Sequence, residues 1–359
     1  MQKNIEDSMI LPMDLAGLTP QWLTAALSHR YPGVHVTSVD VDGIIVGTAS
    51  KARLRIQYAP GKGCSLPESM YVKGGFHGPE QLQLGGVGYV RESLFFRHHA
   101  PRLQDLELPR SYFAATNADT GQSIVLLEDL TARAVTFGNA TRPVSVDTAA
   151  TVLEWQATLH GRFWNSVVLD ELQPWPGVIK QIIDVLLSDG YWGAMIARPL
   201  AAPVPQAMRD PALVGNALAA MWSIFESFGT QTFIHGDAHL GNMYFLADGK
   251  PGYLDWQSPM RGPWSDDVTY FLIGSLTVAD RRRNECELLR HYLDCLRTHI
   301  GDQVPEFDAA WLAYRRQVMH GFMWVATPPQ MQPDEIVAAN TERFCVAFSD
   351  LETLQALDF

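Results

Sequence analysis

The residues with the clearest chemical potential form one block, 235–242, which reads His-Gly-Asp-Ala-His-Leu-Gly-Asn and is followed by Asp255. Apolar runs flank Asp248-Gly249, a dipeptide typical of hairpin turns. Counted symmetrically from that turn, Asn242 and Asp255 lie opposite each other on neighbouring strands, with Cβ atoms roughly 5 Å apart. An amide oxygen and a carboxylate at that separation suit Mg²⁺, which takes hard oxygen ligands and shares the rest with phosphates. With Asp237 on the preceding loop, the block predicts phosphoryl transfer.

The two histidines of the block allow a second interpretation. His235 and His239 flank Asp237, and a His-x-Asp-x-His pattern suggests zinc. No third protein ligand follows at a recognisable spacing, which a structural zinc site needs. The sequence therefore favours a supporting role for His235, which would hold the loop backbone by a hydrogen bond. For His239 the sequence leaves two interpretations open, which are support of the loop and exposure to solvent.

The spacing of Asp237 and Asn242, with Asp255 after the next strand, matches the catalytic loop and metal-binding aspartate of protein kinases. His-Gly-Asp replaces their His-Arg-Asp, and Asp255-Trp-Gln replaces their Asp-Phe-Gly. Both departures are features of small-molecule kinases that share the fold. The chain resembles the aminoglycoside phosphotransferase and choline kinase superfamily over residues 35–345. The ecdysteroid-kinase-like branch looks nearest, because of Leu-Leu-Glu-Asp-Leu at 126–130 and Leu-His-Gly-Arg-Phe-Trp at 159–164.

The order of predicted elements agrees with the resemblance. A helix beginning at Thr19-Pro20 precedes three strands, then a helix, then two more strands. The predicted strands are 36–46, 52–58, 69–74, 108–115 and 123–129, and the helix between them is 88–99. After residue 130 mainly helices follow, at about 144–164, 177–197, 210–228, 265–300, 306–326 and 333–356. The predicted fold class is α+β, a bilobal protein-kinase-like fold with a five-stranded antiparallel sheet and a catalytic β-hairpin. Its nucleotide-binding lobe is 1–128, and its larger, mainly helical catalytic and acceptor-binding lobe is 129–359.

The resemblance implies roles in binding a nucleotide. Lys73, on the third strand, corresponds to the lysine that pairs with the α- and β-phosphates, and Glu92 to the helix carboxylate that orients it. Glu128 and Leu130 lie in the connector between the lobes, whose backbone groups hydrogen-bond the adenine edge in this fold. The frequency of ATP in the family favours ATP over GTP, with Mg²⁺ as the metal.

The loop 43–51 departs from the kinase glycine pattern. Gly43-x-x-x-Gly47 is not Gly-x-Gly-x-x-Gly, so backbone amides near Gly47 with Ser50 or Lys51 would cover the phosphates. The tripeptide Gly-Lys-Gly at 61–63 also fails as a Walker motif, because Gly follows the lysine. We interpret it as a hairpin loop.

Two adjacent aspartates begin the helix after the hairpin. Asp267 resembles the aspartate that braces the catalytic loop in this family, although Asp266 could occupy that position. Only eleven residues separate Asp255 from Asp267, and no Ala-Pro-Glu segment follows. A protein kinase would need room there for a peptide-docking loop, so the spacing favours a small-molecule kinase.

These roles predict transfer of the ATP γ-phosphoryl group to a hydroxyl of a small molecule, with Asp237 accepting or orienting the hydroxyl proton. No motif names the acceptor. The acceptor-side helices carry aromatic and Met residues that form either core or the wall of a cleft for an apolar, steroid-like alcohol: Trp155, Trp164, Trp175, Tyr191, Trp192, Met319, Phe322, Met323 and Trp324. The alternatives are an aminoglycoside or choline-type kinase and a nucleotide-binding pseudokinase scaffold. Intact Asp237, Asn242, Asp255 and Lys73 argue against the scaffold.

Composition excludes several other classes. A length of 359 residues with 47% apolar residues allows two lobes with substantial cores, and a net charge of −12 argues against a nucleic-acid surface. The four cysteines lack a Cys-x-x-Cys pair and are typical of a reduced, cytoplasmic protein. We expect no signal peptide, because the N-terminus is polar and acidic. We expect no membrane partner, because no apolar run approaches the ~20 residues of a span. The oligomeric state is left open.

Overall fold

The computed structural model describes residues 9–45, 50–61, 66–76, 79–227 and 229–359, without the side chains of residues 44, 45, 50 and 79–86. By compactness the chain divides into two units. We call residues 1–136 with 252–258 the sheet unit, and residues 137–251 with 259–359 the helical unit. The predicted boundary at residue 128 between a nucleotide-binding and a catalytic lobe stays a prediction, because it is defined by what each lobe binds.

Alternating apolar and polar residues build the sheet unit. Its elements are α1 (Pro20–Ser28), β1 (Val36–Ile45), β2 (Ser50–Tyr58), β3 (Ser69–Gly74), α2 (Pro79–Leu94), β4 (Ser111–Thr116), β5 (Ser123–Glu128) and β6 (Val135–Phe137), in which the chain leaves the unit. The first five strands form one antiparallel sheet in the order β1-β2-β3-β5-β4. The predicted five-stranded sheet is therefore confirmed. So is the predicted helix start, since Thr19 accepts a hydrogen bond from the Trp22 amide and Pro20 is the first helical residue.

The register of β3 determines what its lysine meets. Met70 and Val72 are buried in the core of the sheet unit, so the intervening and following positions face the other side of the sheet. Lys73 therefore lies on the opposite face from Val72. It pairs in register with Lys51 on β2, which places two ammonium-bearing residues side by side.

Helices dominate the helical unit. Its elements are α3 (Val146–Arg162), β7 (Gln173–Pro174), α4 (Val178–Leu186), α5 (Asp189–Ile196), α6 (Pro211–Ser227), β8 (Thr232–Ile234), β9 (Met243–Leu246), β10 (Pro251–Tyr253), β11 (Met260–Gly262), α7 (Trp264–Ser275), α8 (Val278–Ile300), α9 (Phe307–Phe322), α10 (Asp334–Asp350) and α11 (Thr353–Ala356). The chain returns to the sheet unit within β10. β11 pairs antiparallel with β8 and parallel with β7. This small sheet fixes the end of β8, from which the block 235–242 begins.

One predicted helix is divided in the structure, since 177–197 consists of α4 and α5. The helical region predicted at 265–300 consists of α7 and α8. The Thr277 hydroxyl oxygen accepts a hydrogen bond from the Asp280 amide and so caps the beginning of α8. This cap separates α8 from α7. α7 is buried along almost its whole length, as expected of a helix that is apolar on most sides. Among the described residues, none of the helices combines the length and apolar character that a bilayer crossing requires.

Candidate active site

A buried lysine lies at the centre of a group of charged residues in the sheet unit. The Lys73 ammonium lies 2.6 Å from a carboxylate oxygen of Glu92 on α2 and 2.7 Å from Oδ1 of Asp255. The Lys51 ammonium lies 3.2 Å from Oδ2 of the same aspartate. We call Lys51, Lys73, Glu92 and Asp255 the lysine–carboxylate cluster. It contains two cations and two carboxylates, so that its formal charge is balanced.

The charges of this cluster shift the pKa values of Asp255 and Lys73. Burial would raise the pKa of Asp255, but the charges of Lys73 and Lys51 outweigh it and lower that pKa well below the usual range. Burial would also lower the pKa of Lys73, but Asp255 and Glu92 raise it. Asp255 is therefore ionised and Lys73 protonated near neutral pH. Both states are those in which a carboxylate binds a metal and a lysine binds phosphate.

Asp255 is held in place by its neighbours along the chain. Its backbone is left-handed, with φ of 59°, which is uncommon outside glycine. The next residue, Trp256, is completely buried and stacks on Phe95, just after α2, with ring centroids 3.8 Å apart. Its indole nitrogen donates to the Tyr253 carbonyl at 3.2 Å. Because Trp256 is fixed on both sides, the preceding aspartate is positioned by packing.

The loop predicted to cover phosphates is only partly described. Gly47 lies outside the described residues. Ser50 begins β2 and pairs with Gly74, but its side chain is not among those described. Of the two residues that the sequence left open, Lys51 is the one whose side chain the structure brings to Asp255. The sequence alone could not choose between the two, because the approach of Lys51 depends on its register pairing with Lys73.

The connector is held by charged side chains. The Glu128 carboxylate lies 2.8 Å from Arg133, and Leu130 is buried. The intervening Asp129 accepts hydrogen bonds from Ser69, from Arg53 at 2.7 Å and from the Thr131 amide. Burial would raise the pKa of Asp129, but these hydrogen bonds lower it. Sequence reasoning missed Asp129, although an acidic residue between two predicted site residues was the available signal.

In the helical unit, one carboxylate holds the loop that begins at His235. Asp267 accepts the His235 amide at 2.7 Å on one oxygen and the Gly236 amide at 3.0 Å on the other. Nε2 of His160, on α3, lies 3.3 Å from the same carboxylate, and its Nδ1 lies 2.8 Å from the Tyr292 hydroxyl. Burial would raise the pKa of Asp267, but His160 and the loop amide lower it. Of the two adjacent aspartates, Asp267 is therefore the one that contacts the loop.

Asp237 and Asn242 meet at the open end of this loop. The Asn242 side-chain nitrogen donates to the backbone carbonyl and to the carboxylate of Asp237, both at 3.0 Å. The amide nitrogen of Asn242, and not its oxygen, therefore faces Asp237. The Asp237 side chain is 44% exposed, whereas Asn242 is nearly buried. This arrangement orients a solvent-accessible carboxylate and turns the amide oxygen of Asn242 away from it.

The predicted register of the catalytic hairpin is wrong by one residue. The Gly249 amide donates to the Leu246 carbonyl and the Leu246 amide to the Lys250 carbonyl, both at 2.9 Å. The loop thus has three residues, 247–249, with Gly249 left-handed at φ 88°, where the symmetric count assumed two. The turn is therefore not centred between Asp248 and Gly249, as the count that placed Asn242 opposite Asp255 assumed. Asn242 ends a 3-10 turn and Asp255 lies two residues after β10, so that neither belongs to a strand.

The two histidines of the block bind backbone amides. His235 is completely buried, and its Nδ1 accepts the Asp237 amide at 3.3 Å. Nδ1 of His239 accepts the Gly241 amide at 3.0 Å. Among the described residues, these histidines are not gathered with a third ligand of the kind that zinc requires. Both positions fit support of the loop.

Aromatic rings surround His239 in the helical unit. We call His239, Tyr270, His320 and Trp324 the aromatic shell, because His239 packs edge-on against Tyr270 and Trp324, and Tyr270 packs against His320. Nδ1 of His320 lies 2.8 Å from Asp266. Burial would lower the pKa of His320, but Asp266 raises it. Sequence reasoning missed Tyr270 and His320, whose partners lie about fifty residues away in the chain.

Most of the aromatic and Met residues that the sequence left between core and cleft are core. The buried ones are Trp155, Trp175, Trp192, Met319, Phe322, Met323 and Trp324. Trp164 and Tyr191 are half-buried, and the Tyr191 hydroxyl donates to the Ala326 carbonyl at 2.9 Å. Of the buried group, only Trp324 is also part of the aromatic shell. Most of this set therefore packs in the core of the helical unit.

Comparisons with family models and with curated proteins give one match. The model of the family DUF1679, described as "Uncharacterized oxidoreductase dhs-27", matches residues 215–326, which is less than half of the chain. No curated protein matches.

Solved structures are similar over nearly the whole chain. Choline kinase LicA from Streptococcus pneumoniae is 14% identical with a TM-score of 0.50, covering 92% of this chain and 98% of its own. A candidate aminoglycoside phosphotransferase from Ralstonia eutropha JMP134 is 11% identical with a TM-score of 0.53, covering 91% and 97%. Amicoumacin kinase hAmiN, in complex with AMP-PNP, Ca²⁺ and Ami, is 13% identical with a TM-score of 0.50, covering 86% and 88%. The predicted resemblance is thus confirmed at the level of the fold, and the chain has the protein-kinase-like fold of the choline kinase and aminoglycoside phosphotransferase structures.

Proposed function

We propose that the protein is a small-molecule kinase that transfers the γ-phosphoryl group of ATP to a hydroxyl. The observation that carries this proposal is the buried Lys73 ammonium between Glu92 and Asp255, at 2.6 and 2.7 Å. Burying an ammonium and two carboxylates costs free energy that apolar packing would avoid. Kinase folds use this arrangement to place one cation against the nucleotide phosphates. The similarity of fold to solved kinase structures supports the same interpretation.

On the nucleotide side, we propose separate roles, which the sequence and the contacts support. Lys73 binds the α- and β-phosphates, Glu92 orients it, and Lys51 adds a second cation. Glu128 and Leu130 present the connector backbone to the adenine, and amides near Gly47 with Ser50 cover the phosphates. The assignments for Gly47 and Ser50 rest on the sequence alone.

Asn242 and Asp255 would hold Mg²⁺, and their chemistry fits it. Asp255 is ionised because Lys73 and Lys51 lower its pKa, and Asn242 presents an amide oxygen since its nitrogen is bonded to Asp237. Both are hard oxygen donors of the kind that Mg²⁺ prefers. When bound, the metal neutralises charge on the phosphate oxygens. This pairing rests on the motif spacing in the chain.

Asp237 is the proposed catalytic residue. Its carboxylate is 44% exposed and is oriented by the Asn242 amide, while Asp267 fixes the loop before it. It would accept a hydrogen bond from the acceptor hydroxyl and hold that oxygen for attack. Most of the rate enhancement would come from this positioning and from the surrounding charges. His235 and Asp267 act only by supporting the loop.

The groups near Asp237 favour an apolar alcohol, such as a steroid-like compound, over an aminoglycoside or choline. Sites for polycations are rich in carboxylates. Asp266 is already paired with His320, whose raised pKa favours a positive charge beside the loop. The pair with His320 neutralises the Asp266 carboxylate, which is then not available to attract a polycationic acceptor, and the rings of Tyr270 and Trp324 offer apolar contact.

The description of the matched family names an oxidoreductase, but the site does not favour that chemistry. Dinucleotide-binding folds place their cofactor at the carboxyl ends of a parallel sheet. In the described part of the chain, the five-stranded sheet is antiparallel throughout. The matched segment 215–326 also contains the complete block with Asp237, Asn242 and Asp255.

The test is ADP release from Mg-ATP with a panel of sterols, terpenoid alcohols, polyketides, aminoglycosides and choline, against a control without acceptor. For the best acceptor, we expect Asp237→Asn to lower kcat by at least about 100-fold, while ATP binding is kept. Asp248→Asn, an exposed aspartate of the same hairpin, is the matched control. Near-full activity of Asp237→Asn would remove that residue from its role. Turnover only with aminoglycosides or choline would overturn the proposed acceptor class.

A further inference from the structure

A second group of potential metal ligands lies on two packed helices of the helical unit. Glu154 is on α3, and His291 and Cys295 are on α8. Nε2 of His291 lies 3.0 Å from a Glu154 carboxylate oxygen, and Sγ of Cys295 lies 3.8 Å from that nitrogen. All three ligand atoms lie within 4.8 Å of one another. None of these residues has a part in the proposed phosphoryl transfer.

The separations lie within a few tenths of an ångström of those around a tetrahedral zinc ion. Nitrogen and oxygen ligands lie about 2.0 Å and sulfur about 2.3 Å from zinc, so neighbouring ligand atoms lie roughly 3.3 to 3.7 Å apart. The observed 3.0 and 3.8 Å lie on either side of this range. His291 and Cys295 are four residues apart and therefore share one face of α8. Glu154 meets that face from the neighbouring helix.

We propose that Glu154, His291 and Cys295 form a binding site for a borderline transition-metal cation, best fitted by Zn²⁺, with a water molecule as fourth ligand. The mixed donor set selects the metal class. A thiolate and an imidazole favour zinc over Mg²⁺ or Ca²⁺, which take oxygen ligands. The three side chains are half-buried or exposed, so the ion can reach them from solvent.

Binding is balanced by the loss of one proton. The Cys295 thiol gives up its proton to solvent and binds the metal as thiolate, and Glu154 binds as carboxylate. His291 binds through Nε2 as neutral imidazole, in the tautomer that carries its proton on Nδ1. The His291–Glu154 hydrogen bond is replaced by two bonds to the ion. Asp294, next to Cys295, adds negative charge, although it is also paired with Arg297 at 2.7 Å.

The site would join the two helices that support the catalytic-loop brace. α3 carries His160, which contacts Asp267, and α8 carries Tyr292, which contacts His160. His291 is adjacent to Tyr292 in the chain. A metal bound by both helices would therefore stabilise their packing near the brace, and we expect zinc to raise the melting temperature.

The experiment is a titration of the reduced full-length protein with Zn²⁺ in competition with a chromophoric chelator, without nucleotide. A parallel titration uses Co²⁺, whose thiolate charge-transfer absorption reports the sulfur ligand. We expect zinc to bind with a dissociation constant tighter than about 10 µM. We expect Cys295→Ser to weaken binding at least about tenfold and to abolish the charge-transfer band. Cys286→Ser removes a half-buried thiol of the same helix and is the matched control.

Three results would overturn the proposal. They are the absence of zinc binding in this range, equal binding by wild type and Cys295→Ser, and a cobalt spectrum without the thiolate band. If Cys295→Ser fails to fold, Glu154→Gln replaces it, because Glu154 is exposed and its amide keeps the same shape. Equal binding by Glu154→Gln and wild type would then have the same consequence. None of these readouts depends on kinase activity.

Discussion

The sheet unit and the helical unit hold their functional residues by different forces. In the sheet unit, Lys73 lies between two carboxylates and Asp255 between two lysines, so that position depends on balanced full charges. In the helical unit, Asp267 holds the catalytic loop through backbone amides. A charged ligand can compete for the ion pairs of the first arrangement, whereas the amide hydrogen bonds of the second fix the loop backbone. Under the proposed function, this difference suits a nucleotide that enters and leaves and a carboxylate that stays in position.

The largest expected effect comes from removing the Lys73 ammonium, which Glu92 and Asp255 share in the sheet unit. Lys73→Met keeps the length of the side chain but leaves Glu92 buried without its nearest cation. We expect a loss of about 3 to 5 kcal/mol in the free energy of unfolding, because one partner of a buried ion pair is removed. Urea denaturation of wild type and variant measures it.

A matched double variant separates charge from packing. Lys73→Met with Glu92→Gln removes the unpaired carboxylate, and we expect it to recover part of the lost stability. If the double variant is less stable than Lys73→Met by the full effect of Glu92→Gln alone, the two residues are not coupled. The charge-balance account of the cluster would then be wrong.

The brace of the helical unit gives a smaller effect with a defined dependence on pH. Asp267→Asn keeps the shape but removes the charge that accepts two amides, and we expect a loss of about 2 kcal/mol at pH 7. The pKa of Asp267 is lowered on folding, so its contribution is complete above the unfolded pKa of about 4 and is lost as pH falls through the folded pKa. Urea midpoints of wild type and variant should therefore converge on acidification. Asp266→Asn, at the adjacent position, is the control for the loop contact.

His320 should show the opposite dependence on pH. Its pKa is raised on folding by Asp266, so its contribution is complete below the unfolded pKa of about 6.5 and is lost as pH rises through the folded pKa. We expect His320→Asn to cost about 1.5 kcal/mol at pH 6 and less at alkaline pH. Unfolding midpoints between pH 5.5 and 9 measure the change. A cost that is independent of pH would mean that His320 is neutral in the folded protein.

The sequence predicted the features that depend on neighbouring residues in the chain, and it missed those that depend on contacts between distant residues. The sheet, the helix start at Thr19-Pro20 and the order that links Lys73 to Glu92 follow from local alternation and capping. Lys51 could not be assigned, because its approach to Asp255 requires the register of β2 against β3. Asp266 and Asp267 are adjacent and chemically identical, so only tertiary contacts distinguish the loop brace from the partner of His320. The aromatic shell joins α7 to α9, and a motif cannot show which buried rings meet across that separation.

The smallest expected effect concerns the hairpin, where the predicted register failed. A three-residue loop needs a left-handed residue at its third position, and Gly249 has φ of 88°. Adding Cβ meets no atom within 4 Å, so a substitution there changes backbone energy without a clash. We expect Gly249→Ala to cost about 1 kcal/mol and Gly249→Asn less, because asparagine tolerates the left-handed region. Equal unfolding midpoints for the two variants would show that the loop has relaxed to another turn. A cost for Gly249→Ala that exceeds the cost for Gly249→Asn would show that the left-handed conformation of the third loop position is retained, because only the backbone preference differs between the two variants.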